Sequence, residues 1–275
     1  MSASPLREPR FVEANGLNVR YLEAGAGPSL LLLHGGTLCS TTPVPRVGWI
    51  SYLDRLSTHF RVIAPDTRGH GGTTNPDGPP DYHALAADAF ALLDALDIES
   101  PLLCGFSDGA IIATVMSMIR PDVPRALACH AGYDLFNPAA PSMALWREVT
   151  GGSENATGPD EGHLIEHHAD WVERMRNDHD ELQGEGAWMN VMRDGWQRFS
   201  SYAGYSHADF ALITCPTLLS VGDRDIFCTV EEAVQVFRNL PHGELAIMPN
   251  LPHGLCPGLV ELIIDFFLRQ VQQPA

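Results

Sequence analysis

Short apolar runs rich in Leu, Val and Ile recur at residues 18–23, 29–34, 60–65, 101–106, 126–131, 217–222 and 244–248. Runs of this length predict strands, and those apolar almost throughout predict strands buried on both faces. Between them the period changes. Over residues 82–96, Leu85, Ala89, Leu92, Leu93 and Leu96 share one helical face, while residues 110–119 read as a largely buried helix and 259–268 as another apolar helical run. Strands alternating with helices predict an α/β chain: a doubly wound, mostly parallel sheet covered by helices on both sides.

Residues 133–207 break this rhythm, being rich in His, Trp, Met, Asp and Glu, with a loop at Gly151, Gly152 and Ser153. Leu164, Ile165, Trp171, Val172 and Met175 fall at helical spacing, as do Trp188, Val191, Met192 and Phe199, so two or three amphipathic helices are expected. The organisation expected is therefore a core of residues 1–132 and 208–275 with an insertion at 133–207. That insertion is either a helical lid over a pocket or a subdomain packed on the sheet.

With 275 residues and 45% hydrophobic content the chain can bury a sizeable core. No stretch approaches the roughly 18 consecutive apolar residues of a membrane helix, and residues 1–10 carry no apolar signal region, so a cytoplasmic protein is expected. The six cysteines form no CxxC pair and read as reduced packing residues. A formal charge of −17 repels phosphate backbones and anionic membranes, which leaves neutral or cationic small molecules as the expected partners and disfavours nucleic acid.

The sharpest chemical signal is Gly105-Phe106-Ser107-Asp108-Gly109, placed after one buried-strand run and before a helical one. A serine on a tight strand-to-helix turn needs small neighbours, and the amides at the helix start lie where they can stabilise negative charge. The pentapeptide by itself is common; its context makes it informative. Ser107 is the expected nucleophile.

With His34-Gly35-Gly36 after the second strand run, 60–66 followed by Arg68-Gly69-His70-Gly71, and the serine turn, the chain resembles the α/β-hydrolase superfamily over nearly its whole length outside the insertion. The Ser107-Asp108-Gly109 turn is also similar to that of the biphenyl-hydrolase-like and valacyclovir-hydrolase-like branch, although Ala110 stands where a further glycine is common there. The resemblance implies that His253, in the loop 249–254, is the general base and that Asp225, in Gly222-Asp223-Arg224-Asp225, orients it. A serine hydroxyl needs such a base, and the imidazole needs a carboxylate. Asp223 and Asp134 remain alternative acids. The resemblance further implies an oxyanion hole from the amides of Gly36 and Asp108, and a role for His34, Asp66, Arg68 and His70 in holding their loops.

Phe106 and Asp108 are expected to contact substrate, and the Asp108 carboxylate either faces the pocket to receive an ammonium group or merely caps nearby amides. His163, His167 and His168 place histidines at an i, i+4 spacing that can hold zinc, but no HExxH motif accompanies them, so no metal or cofactor is expected. Asn155-Ala156-Thr157 matches a glycosylation acceptor that should stay bare in a cytoplasmic chain. The expected function is hydrolysis of a carboxylic ester, lactone or related acyl bond through an acyl-enzyme. The same triad also serves carbon–carbon bond hydrolysis and perhydrolysis, and a ligand-binding sensor with slow turnover is the rival from another class. Dehalogenase and epoxide-hydrolase chemistry are disfavoured, because those relatives carry aspartate where this chain has Ser107.

Overall fold

The computed structural model describes residues 8–42, 49–132, 141–153, 156–201 and 205–272. Its first element was not anticipated. Asn15 and Gly16, both at positive φ (50° and 74°), form a two-residue hairpin turn between β1 (Arg10–Ala14) and β2 (Leu17–Ala24). β1 escaped the apolar reading because it is an edge strand that exposes Arg10 and Phe11; the Asn-Gly pair was the signal that could have found it.

The chain continues through β3 (Ser29–Leu33), α1 (Trp49–Leu56), β4 (Arg61–Pro65), α2 (Tyr82–Ala95), β5 (Leu102–Phe106), α3 (Asp108–Ile119) and β6 (Ala126–His130). The helices α4 (Pro141–Val149), α5 (Glu161–His167), α6 (Ala169–Met175), α7 (Glu181–Gln183) and α8 (Ala187–Ser201) follow, with a wide π turn at Arg176–Asp180 joining α6 to α7. A 3-10 turn (His207–Leu212), β7 (Thr217–Gly222), α9 (Val230–Phe237), β8 (Gly243–Met248) and α10 (Pro257–Gln272) complete the order. None of these helices is long and apolar enough to cross a membrane.

The eight strands form one sheet in the order β1-β2-β4-β3-β5-β6-β7-β8. β2 runs antiparallel to both its neighbours and every pair from β4 to β8 is parallel, which bears out the doubly wound, mostly parallel expectation. From β3 the chain steps to one side for β4 and returns to the other for β5. Loops leaving these two strands therefore diverge and open a crevice at their carboxyl ends, the usual place for a ligand in such sheets. β5 and β6 are buried at every position, and α3 at all but its last, so the centre of the sheet is a rigid platform for the β5–α3 turn.

The described residues between β6 and β7 carry the five helices α4 to α8, where two or three were expected. The single apolar face expected from Leu164 to Met175 is interrupted at His168, which ends α5 and starts α6, and Ile165 is exposed. Leu164, Met175, Trp188, Met192 and Trp196 pack into the same hydrophobic core as the sheet. The six cysteines are free thiols, five of them buried. Asp134 and Asn155 lie outside the described residues.

Candidate active site

Ser107 is a non-glycine residue held at φ 52°, a conformation that costs of order 1–3 kcal/mol and persists only where its surroundings impose it. Those surroundings are glycines. A Cβ on Gly105 would lie 2.3 Å from the carbonyl of Gly109, and one on Gly109 would lie 2.2 Å from that of Leu33. Gly132, which sequence reasoning missed, is just as constrained: its Cβ would stand 1.9 Å from the Ser107 carbonyl. The Ser107 amide donates to the His130 carbonyl at 2.9 Å, fixing the turn to β6.

The loop after β8 brings His253 to this turn. Its Nε2 lies 3.0 Å from Ser107 Oγ, and its Nδ1 lies 2.9 Å from Asp225 Oδ2. Asp225 Oδ1 accepts from the amides of Phe227 and Cys228, both at 2.9 Å. Burial raises the Asp225 carboxyl, yet the bond from His253, that ring's charge and these two amides outweigh it, so the group ends below its usual range and stays ionised.

Asp223, the neighbouring alternative, faces elsewhere and accepts from Leu251 N at 3.2 Å. It therefore holds the histidine loop. So do two residues that sequence reasoning did not single out. Gly222 approaches Leu251 so closely that a Cβ would be 1.9 Å from its carbonyl, and buried His130 donates from Nε2 to the Gly254 carbonyl at 2.8 Å. Burial lowers the His130 imidazole to about 4.

Opposite the histidine, Gly35 and Gly36 press against the serine turn. A Cβ on Gly36 would meet Asp108 Cβ at 3.2 Å, and one on Gly35 would meet the Phe106 ring at 3.2 Å. Among the described residues neither Gly36 N nor Asp108 N donates to a protein acceptor, and the latter opens α3, where helix amides are unpaired by construction. Two histidines pin the loop by its carbonyls: His34 Nδ1 donates to Gly35 O at 2.8 Å and His70 Nε2 to Gly36 O at 2.9 Å. Burial lowers His34 to about 4, which suits the neutral ring whose Nε2 accepts from Thr67 N at 3.0 Å. Asp66 receives Arg20, Ser40 N and Gly72 N, and Arg68 pairs with Asp88 and Asp77. All four residues hold loops.

The side chain of Asp108 departs from the expectation of an ammonium receptor. It is buried, turned away from the crevice, accepts from the Tyr82 hydroxyl and forms an ion pair of 2.8 Å with Arg198 of α8. Its charge is already matched. The rings of His163 and His167 lie 4.6 Å apart and tilted by 51°, and the one group of three His, Cys, Asp or Glu donors found among the described residues is Asp225, Cys228 and His253. Two of those donors are already bonded to each other in the line that ends at Ser107.

Above these parts lies a cavity of about 360 Å³. Its floor is Gly35, Gly36, Phe106, Ser107 and His253, and its roof comes from α4, α6 and α8 through Trp146, Trp171, Arg174, Met192 and Phe199. The Phe106 and Phe227 rings each sit 5.1 Å from the His253 ring, so they shield the imidazole and shape the cavity. Phe106 was anticipated; Phe227, Trp146, Thr37 and Arg174 were not, since nothing local marks a roof residue apart from the apolar face it shares with the core.

The parallel sheet with its serine turn at the switch point defines a hydrolase of the α/β class. The chain belongs to the Alpha/beta hydrolase family, whose sequence profile matches residues 30–260. It is 26% identical over 258 residues to an (E)-2-((N-methylformamido)methylene)succinate hydrolase of Acinetobacter baylyi, covering 87% of this chain and 89% of that one. It is 36% identical over 147 residues to epoxide hydrolase 3 of Siraitia grosvenorii, where the match spans 51% of this chain and only 44% of the relative. Among solved structures it resembles the enol-lactonase of Burkholderia xenovorans, with a TM-score of 0.71 at 16% identity over 96% of this chain and all of that one, a likeness of fold.

Proposed function

We propose that the protein is a serine hydrolase that cleaves a carboxylic ester, lactone or related acyl bond of a small molecule. The observation that carries this reading is the line from Ser107 Oγ through His253 to Asp225, with contacts of 3.0 and 2.9 Å. Ser107 Oγ bonds to the substrate carbonyl carbon while its proton passes to His253 Nε2, and the carbonyl electron pair moves onto oxygen. The amides of Gly36 and Asp108 receive that oxyanion, an interaction usually worth several kcal/mol. Collapse expels the leaving oxygen, which takes the proton from Nε2. A water deprotonated by the same nitrogen then releases the acid. The chain's own residues supply every group this sequence of steps uses. The relationship to epoxide hydrolases does not extend to their chemistry, because the elbow here holds Ser107. The helices between β6 and β7 act as a lid, since their side chains close the cavity from above.

A fluorophosphonate probe followed by mass spectrometry tests the reading. Ser107 is labelled rapidly in the wild type and not in His253→Ala, and a panel of acyl esters and lactones is turned over. An inert serine would leave a binding protein instead.

A further inference from the structure

Resting on the serine-hydrolase reading, we infer that Arg174 makes this cavity a receptor for an acyl substrate carrying its own carboxylate, bound beside the oxyanion loop. Among the described residues Arg174, on α6, is the only Lys, Arg, Asp or Glu lining the cavity, whose other walls are formed chiefly by aromatic, aliphatic and glycine residues. It is half-buried and has no ion-pair partner among the described residues. Its one bond is Nη2 to Thr37 Oγ1 at 3.1 Å, while Nε is buried without an acceptor. A guanidinium has five N–H donors in a planar fork that matches a carboxylate, so most of its capacity is unused.

Asp178 attracts the guanidinium, but the two form no ion pair among the described residues. Asp178 stands one turn further along, but its carboxylate receives the Thr42 hydroxyl at 2.7 Å. Burial lowers the Arg174 guanidinium and raises the Asp178 carboxyl, and the attraction between the two opposes these shifts without cancelling them. Arg198 on α8 shows the contrast: equally part of the helical segment, it is matched by Asp108 at 2.8 Å. A half-buried cation without an ion-pair partner carries a desolvation cost that a bound anion would offset. A net charge of −17 opposes the approach of an anionic ligand, so a carboxylate site in this chain needs a local cation such as Arg174.

Geometry also sets where that charge lies. Thr37 follows Gly36 directly and accepts both Arg174 and the Trp171 indole N–H, the latter at 3.2 Å. The guanidinium is therefore held at the oxyanion-loop end of the cavity. A carboxylate there is a few bonds from the carbonyl that Ser107 attacks, and the rest of the substrate meets Trp146, Met192 and Phe199.

The test compares two esters, the 4-nitrophenyl monoester of glutaric acid and 4-nitrophenyl pentanoate. In the wild type the acid-to-neutral ratio of kcat/KM exceeds about tenfold, and in Arg174→Gln it falls to near one, the size expected for loss of a charge-assisted bond. Arg174→Lys keeps the charge without the fork and gives an intermediate ratio. A wild-type ratio near one, or a ratio unmoved in Arg174→Gln, overturns the inference. A second measurement is independent of turnover: in Ser107→Ala, glutarate changes the fluorescence of Trp146 and Trp171 saturably, and adding Arg174→Gln abolishes the change. Were Ser107 to prove unreactive, the serine-hydrolase reading would fall while this titration still decided the carboxylate site, and no saturable change in Ser107→Ala would count against it.

Discussion

The floor and the roof of the cavity are built on different principles. On the floor, each group proposed to react is held through its own main chain: Ser107 by glycines that admit no Cβ, His253 by a loop whose backbone bonds to the Asp223 and His130 side chains, Gly36 by His70 through its carbonyl. On the roof, apolar side chains from α4, α6 and α8 share the core's packing, and one unpaired guanidinium interrupts them. Positions held by main chain and absent side chains cannot drift without unfolding the turn, which suits groups that must align within tenths of an ångström. A roof made of side chains can change its lining while the floor stays intact. Chemistry and selectivity are thus separable here.

The largest expected effect strikes the floor. Asp225→Asn keeps the volume but removes the charge that supports the imidazole, and kcat should fall roughly 10³–10⁴-fold with the melting temperature little changed. A loss below tenfold would mean the carboxylate is not the orienting acid, and the floor would lose its distinction from the roof.

Next comes the ion pair that ties roof to floor, Arg198 with Asp108. Arg198→Met leaves Asp108 buried with only the Tyr82 hydroxyl, and breaking such a pair costs about 3–5 kcal/mol. Denaturant unfolding should show that loss, and adding Asp108→Asn should restore part of it by removing the stranded charge. Additive destabilisation in the double variant would show that the two side chains are not coupled.

Acid should produce a smaller effect per group, carried by the buried histidines of the floor's supports and by His179 of the helical segment, which burial lowers to about 3. His34 and His130 are neutral in the fold, with burial lowering both to about 4 from 6.5. As pH falls from 6.5, the unfolded chain takes these protons before the folded one, so stability is full above about 6.5 and declines toward 4. The loss is about 2 kcal/mol per imidazole between pH 6.5 and 4.5. Asp225, lowered in the fold, adds a decline of the same sign at lower pH, beginning near its unfolded value. Melting temperatures from pH 7 to 4.5 measure this, and His130→Asn should flatten the curve. An unchanged slope in that variant would place the acid sensitivity elsewhere.

The strands of the sheet's centre were legible because burial on both faces writes uninterrupted apolar runs, and Gly105 and Gly109 marked the serine turn because only glycine fits there. β1 was not, since an edge strand with exposed side chains has no apolar run to announce it. α1 and α9 are eight residues each, barely two turns, too short for a helical period to stand out. Arg174 and Arg198 illustrate the remaining limit. They lie on helices of the same segment and nothing local separates them, yet one meets Asp108 and the other meets an open cavity.

What the sequence determined by itself was the order of the central strands and the longer helices and the glycine-flanked serine turn, because these follow from local period and steric exclusion, while the acid and histidine loops were implied by the family resemblance. What only the tertiary structure decided was which distant side chains meet: His130 beneath the histidine loop, Gly132 behind the serine, Asp108 turned to Arg198, and Arg174 left facing the cavity. Those pairings depend on how far apart chain segments lie after folding, and charge or apolarity along a single helix carries no record of the surface it will be packed against.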